Sequence, residues 1–400
     1  MNKINSGTKL KIIIFEGSFK TTPFIERLVK GLSRYHDIYI LGFNHRIANR
    51  IENVKYISLG SNQNKLRFIA TALAYSLKKM SLEQLLKTLK LLFQKNRKSI
   101  QYYNFERAVS YINPDIIHVQ WPSLLPLCES ILLNKKYKII LSQRGSQINI
   151  VPFIDQTNYS YLKKWYPQIS GFHSVSKAIS EKGDLIWNDK TKIDQVVYTG
   201  LNLREFTFQK TYVRATPLIL LSVGRAHWVK GYNYALKSCK LLKDADVPFH
   251  YTIVGGAEDE ELQFLQKKYN LEREVSLLKR MPQKQVFDIM KSASLLLLPS
   301  IIEGTPNVIV EAMALGLPVL CTNCGGVSEL IEDGCQGWTV NSRSPENMAE
   351  AIIKFTETPI LEIEAVRLAA RKKVEVQHSE NQMIEGINNL YKEVLHKNNV

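Results

Sequence analysis

Leu295–Val340 reads LLLLPSIIEGTPNVIVEAMALGLPVLCTNCGGVSELIEDGCQGWTV, and this stretch decides the fold. Leu295–Leu298 is a short apolar run stopped by Pro299, the pattern of a strand buried on both faces of a parallel sheet. The spacing then predicts a loop through Glu303-Gly304-Thr305-Pro306-Asn307 and a helix over Val308–Leu315, with Asn307 as its N-cap. Gly316 ends that helix, and Pro318–Cys321 starts the next strand. A strand feeding a helix N-terminus through a tight loop offers free backbone N–H groups and a positive dipole end. A phosphate site is expected there.

Glu303 and Glu311 bracket the loop, one before the helix and one within its first turns. A phosphate alone does not ask for two more negative charges. Carboxylates accept paired hydrogen bonds from vicinal hydroxyls, so a sugar and a ribose are natural partners. Taken singly, each residue has a simpler reading: Glu311 complements the helix N-terminus and Glu303 is a loop charge. Upstream, Leu218–Val223 reads as a strand, followed by Gly224-Arg225-Ala226-His227-Trp228-Val229-Lys230-Gly231. Two cations five positions apart in a strand-to-helix loop suit a diphosphate, Arg225 as a planar fork and Lys230 as a point charge. The glycine spacing and Ser/Thr of a Walker A loop are missing.

EGTPNVIVEAMALGLPVL followed by GGVSELIEDGCQGW resembles the donor site of glycosyltransferase family 4, retaining enzymes of the GT-B fold. Arg225 and Lys230-Gly231 resemble the family's Arg-x4-Lys-Gly element, and Tyr198-Thr199-Gly200-Leu201-Asn202 its linker. The resemblance implies an α/β chain of two Rossmann-like domains facing a cleft, and transfer of a sugar from a nucleotide-diphosphate sugar. It implies catalytic roles for Glu303, Arg225 and Lys230. It places the donor on Gly17, on the backbone of Gly304, Thr305, Pro306, Asn307 and Val308, and on Glu311, which would hold the ribose. No metal and no cofactor are expected beyond the nucleotide sugar as co-substrate.

The first half opens in the same style. Leu10–Phe15 reads as a strand, Glu16-Gly17-Ser18 as a turn, Thr22–Tyr35 as a helix and Asp37–Leu41 as a second strand. Ile112–Val119 is expected as a strand with His118 near its end, and Lys138–Ser142 as another leading to Gln143-Arg144-Gly145-Ser146. Strand carboxyl ends are where such sheets place function, so Ser18, His118 and Arg144 are the acceptor-side candidates. The family often has His before that glycine. Here it is Arg144, which cannot deprotonate an alcohol at neutral pH but binds phosphate or acceptor oxygens. His118 is the substitute base, although a lone His at a strand end is more often structural.

The domains expected are residues 1–205 and 206–379, with a final helix near 380–400 packing back on the first. The charge is divided in the same way. Residues 1–205 hold 31 Lys and Arg against 14 Asp and Glu, while residues 206–400 hold 22 against 23. An excess confined to one half points to one acidic surface. Between Lys65 and Lys98, Leu82, Leu85, Leu86, Leu89, Leu92 and Phe93 recur at helical spacing among nine Lys and Arg and one acid. This reads either as a packed helix with a solvated basic face or as a surface for an anionic membrane.

Five Cys without regular spacing fit a reducing compartment. Cys321 and Cys324 lack a second pair to complete a zinc site, and Asp244-Ala245-Asp246 lies in a turn before a strand. With no signal segment or spanning helix expected, the location read from the sequence is the cytoplasm, peripheral on the membrane's inner face. The acceptor expected is a glycan or lipid-linked glycan in surface polysaccharide or glycolipid synthesis, and nucleic acid is not an expected partner. Two other readings stay open. A sugar-nucleotide epimerase of this fold would need a first-domain carboxylate, for which only Glu16 is placed. A basic nucleic-acid-binding protein leaves the second-half site unexplained.

Overall fold

The computed structural model describes residues 9–43, 47, 50–61, 64–78, 82–93 and 96–397. The chain divides into two units. One comprises Met1–Val175, Ser180–Gly200 and Glu380–Val400, and the other Ser176–Ile179 and Leu201–Ser379.

The first unit is built on seven strands: β1 (Lys11–Gly17), β2 (Asp37–Gly42), β3 (Val54–Ser58), β4 (Ile116–Val119), β5 (Lys138–Gln143), β6 (Gly171–Ser174) and β7 (Asp194–Val196). They are parallel throughout and run in the order β3-β2-β1-β4-β5-β6-β7. Ile13 of β1 pairs with Tyr39 on one side and Ile117 on the other. The order therefore reverses between β1 and β4, and the loops after those two strands open to opposite sides. Open α/β sheets hold ligands at such a point.

The expected strand Ile112–Val119 is shorter than the spacing suggested. Ile112 is the last residue of a helix, Arg97–Ile112, and β4 begins only at Ile116. Asn113 takes the left-handed conformation (φ 49°) that ends the helix, and Pro114 prevents its continuation. The apolar run is thus split between two elements.

The helix Glu380–His396 belongs to the first unit. Its Met383, Ile384, Ile387, Leu390, Tyr391 and Val394 share one core with Ile25, Leu28 and Leu32 of the helix Pro23–Leu32, and with Ile193 and Val197. The fit is tight: a Cβ on Gly171 would stand 2.5 Å from Val394. Deleting buried side-chain atoms in so dense a core leaves a cavity that cannot fully collapse. Ile387 is fully buried. Ile387→Ala should lower the unfolding free energy by about 2–5 kcal/mol in urea denaturation.

The second unit repeats the plan with β8 (Leu218–Val223), β9 (Phe249–Val254), β10 (Val275–Leu278), β11 (Leu295–Leu298), β12 (Val319–Thr322) and β13 (Trp338–Val340). The order is β10-β9-β8-β11-β12-β13, again parallel, with its reversal between β8 and β11. Apolar runs such as LILL and LLLL form the strands because both sheet faces are covered.

A long helix absent from the sequence reading, Ile360–Gln377, packs against the helix Asn307–Leu315. Its Arg367 is almost fully buried, stacked on Phe208 and Tyr212, and donates to the carbonyls of Gly316 and Gln209 and to the Glu364 carboxylate. Arg371 donates to the carbonyl of Ala314 at 2.6 Å. Two cations thus cap the carboxyl end of the 307–315 helix, where the orphan carbonyls and the negative dipole end favour them.

Candidate functional site

In the second unit the candidate residues gather at the β8/β11 reversal. Lys230 closes a short 3-10 turn, Trp228–Lys230, and Gly231 leaves it with φ 62°. A Cβ there would stand 2.0 Å from the carbonyl oxygen of Pro299, so only glycine lets the Lys230 turn lie against the loop after β11. The Ile301 N–H donates to the Val229 carbonyl at 2.7 Å and joins the two loops. Lys230 Nζ then meets Glu303 Oε1 at 2.7 Å, and Ser300 Oγ donates to the same oxygen at 2.6 Å. Both side chains are largely enclosed, with 22% of Lys230 and 12% of Glu303 exposed.

The following glycines hold that loop from behind. A Cβ on Gly325 would stand 2.1 Å from the Glu303 carbonyl oxygen, and one on Gly326 1.8 Å from that of Gly304. Thr322 Oγ1 donates to the Ser300 carbonyl. Cys321 and Cys324 are both buried, and burial pushes the Cys324 thiol up to about 11. Among the described residues, no group of three or more His, Cys, Asp or Glu is placed to hold a metal.

Asn307 does not cap the helix as expected. Pro306 occupies the N-cap, extended at φ −76° and ψ 100°, and makes no side-chain cap. Proline fixes an extended entry, so the helix starts one residue earlier, at Asn307, whose Oδ1 is buried without a hydrogen-bond partner. Gly304 and Pro306 are buried, whereas Thr305 and Val308 are partly exposed. Glu311 accepts from Gln283 Nε2 at 2.8 Å, a partner the sequence reading did not single out.

Arg225 is exposed and lines an open pocket of about 240 Å3 with Gly255, Glu258, Asp259, Lys279 and Arg280. Lys279 and Arg280 were also missed. Their signal was a pair of cations immediately after a strand, at its carboxyl end.

In the first unit, Gly17, Ser18, His118 and Arg144 lie at or beside the carboxyl ends of β1, β4 and β5. Gly17 has φ 83°, and a Cβ on it would stand 2.9 Å from Leu124. Ser18 Oγ accepts from the Lys20 N–H at 3.2 Å.

His118 is no candidate for contact with a substrate. It is fully buried, with Nδ1 2.8 Å from Tyr391 Oη and Nε2 2.8 Å from Ser142 Oγ. Burial, with His173 and Arg144 nearby, holds it well below the usual imidazole range, so it is neutral. Ser142 Oγ also lies 3.0 Å from His173 Nδ1, and Arg144 Nη2 donates to Ser142 Oγ at 3.3 Å. This is an internal network.

Residues 204–373 match the family described as Glycosyl transferases group 1. WcaL of Escherichia coli strain K12, named as a colanic acid biosynthesis glycosyltransferase, is 33% identical over 46% of this chain and 47% of its own length. AmsK of Erwinia amylovora, an amylovoran biosynthesis glycosyltransferase, is 29% identical over 62% of this chain and 64% of its own. The chain thus spans about half to two thirds of the length of these relatives. The crystal structure of Anabaena Alr3699/HepE in complex with UDP and glucose matches with a TM-score of 0.70 at 16% identity, over 96% of this chain and all of that one. The fold is GT-B, with two Rossmann-like α/β units of parallel strands.

One carboxyl in the first unit titrates unusually. Burial pushes Glu16, at the end of β1, up from 4.5 to about 7, and its Oε1 has no hydrogen-bond partner. The folded state therefore holds this proton over a range where the unfolded chain has lost it. Stability should fall as pH rises from about 4.5 to about 7 and then level off. The slope from this group is at most about 1.4 kcal/mol per pH unit, less where water reaches the carboxyl. Thermal denaturation across that window should show Glu16→Gln with a flatter profile than the parent.

Proposed function

We propose that the protein is a retaining glycosyltransferase of family 4 type. It moves a sugar from a nucleotide-diphosphate donor to a glycan or lipid-linked acceptor in surface polysaccharide synthesis. The observation that carries this reading is the Lys230–Glu303 pair, 2.7 Å apart at the β8/β11 reversal, with Arg225 on the same strand edge. The group 1 match over residues 204–373, the polysaccharide names of WcaL and AmsK, and HepE's complex with UDP and glucose support it.

As the glycosidic bond breaks, negative charge gathers on the leaving diphosphate. Lys230, Arg225 and the N–H groups at the start of the 307–315 helix are fixed donors for that charge. Glu303 would hold hydroxyls of the donor sugar, and Glu311 the ribose. No protein base is required if the acceptor attacks from the face the diphosphate is leaving and the departing phosphate takes its proton. That suits a first unit whose His118 is neutral and internally bonded.

Truncating one partner of a partly buried charge contact costs about 2–5 kcal/mol. Lys230→Ala should lower turnover by two or more orders of magnitude in a folded protein. Glu303→Gln should lose most transfer while nucleotide binding, read by calorimetry, survives. Parent-like kinetics in both variants would remove the assignment.

We also propose that the first unit docks on an anionic membrane presenting the acceptor. Of the apolar stripe expected over 82–93, Leu86, Leu89 and Phe93 are exposed, at 59%, 41% and 87%. The side chains of Leu82, Leu85 and Leu92 lie outside the described residues. Thr88 faces inward, donating to Tyr103 Oη at 2.9 Å. No helix among the described residues is long and apolar enough to cross a membrane. Exposed apolar side chains beside Lys90, Arg97 and Lys98 suit an interface whose lipids are negative, each basic residue contributing about 1 kcal/mol. Binding should be seen to phosphatidylglycerol vesicles and not to neutral ones, weaken with salt, and drop when Leu86, Leu89 and Phe93 become Ser. Equal partitioning onto both vesicle types would count against docking.

A further inference from the structure

One buried charge in the first unit is unanswered. Arg144 follows β5 and is 8% exposed. Its Nη2 donates to Gln120 Oε1 at 3.1 Å and Ser142 Oγ at 3.3 Å, with His173 Nδ1 at 3.5 Å. The Phe24 ring covers the guanidinium, 4.8 Å from Cζ to the ring centre. Every one of these partners is neutral. His173 donates from Nε2 to the Val197 carbonyl at 3.0 Å, and burial pushes its pKa down to about 3.

Among the described residues no carboxylate pairs with Arg144. Its Nε is enclosed without a hydrogen-bond partner. A guanidinium stays charged at neutral pH, so a nearly buried one with only neutral partners is held at a cost. The hydrogen bonds and the ring fix its position but leave its charge in place. Beside it, Gly145 has φ 49°, and apart from its chain neighbours nothing stands within 4 Å of where its Cβ would be, so the backbone that follows Arg144 is uncrowded.

We infer that Arg144 is the receptor for an oxyanion on the acceptor, either the carboxylate of an acidic sugar or a phosphate. This rests on the transferase reading and narrows its acceptor to an anionic one. The site is made by the carboxyl ends of β4 and β5 with the start of the helix Pro23–Leu32. Gln120, Ser142 and Phe24 orient the guanidinium, and the incoming oxygen supplies the missing negative charge. Arg suits the task because planar oxyanions match its fork.

The test uses the full chain saturated with UDP, so that the donor-diphosphate site is occupied. Thermal shift is read against glucuronate and against inorganic phosphate, with glucose in chloride of matched ionic strength as the control. Stabilisation by glucuronate points to a carboxylate acceptor, and stabilisation by phosphate to a phosphorylated one; either supports the site. Arg144→Gln should weaken that response at least tenfold while keeping the response to UDP. Arg144→Lys, which retains the charge without the fork, should respond at an intermediate concentration and serves as the comparison if the Gln variant does not fold. No shift with either anion, or an unchanged response in a folded Arg144→Gln, overturns the inference. If UDP itself fails to stabilise the parent, a uridine donor falls, and the loss or retention of the anion response in Arg144→Gln still decides Arg144.

Discussion

The largely enclosed pair between Lys230 and Glu303 is the contact on which the second unit's site depends. Neither charge would be stable alone at that depth, since desolvation of an unpaired ion is costly. Joined at 2.7 Å and seconded by Ser300, they fix two loops that leave the sheet on opposite sides of its reversal point. The glycines around them are the backbone's side of the same arrangement. Gly231, Gly325 and Gly326 each sit where a side chain would collide with a carbonyl oxygen of the loop after β11. Charge and backbone therefore act together on one short segment, 299–306.

The first unit has a parallel strand order of the same kind but fills its reversal point differently. Where the second unit sets a cation against a carboxylate, the first sets Arg144 among neutral hydrogen-bond partners under an aromatic ring. An internal ion pair is already neutralised, whereas a lone buried cation is not. The two sites therefore differ in what a ligand must bring. One must compete with an internal carboxylate, and the other is short of negative charge from the start.

Much of this was legible in the residues. Buried parallel strands announce themselves as apolar runs, and Leu218–Val223 and Leu295–Leu298 stand where the runs lie. The clustering of Lys230 with Glu303 followed from two loops at one strand edge. What was not legible depended on distant partners or on packing without periodicity. The helix Ile360–Gln377 shows no clean apolar stripe because part of what it buries is an arginine. His118 looked available because its partner Tyr391 is 273 residues away. Asn307 looked like a cap because the effect of Pro306 on the chain's entry angle cannot be read from composition. The edge strand Val54–Ser58, only partly buried, carries too little apolar character to stand out.

The arginine caps on the 307–315 helix have a consequence for how such a site can change over generations. Arg367 and Arg371 secure the helix from its far end, through Gly316 and Ala314, so the helix does not rely on the loop at its near end for its place. Ile301, Ile302 and Thr305, all partly exposed in that loop, can drift in size and polarity without loosening the helix behind them. Anchor and loop are separated by nine residues of rigid rod. A lineage can vary the loop at one end while the other end is inherited unchanged.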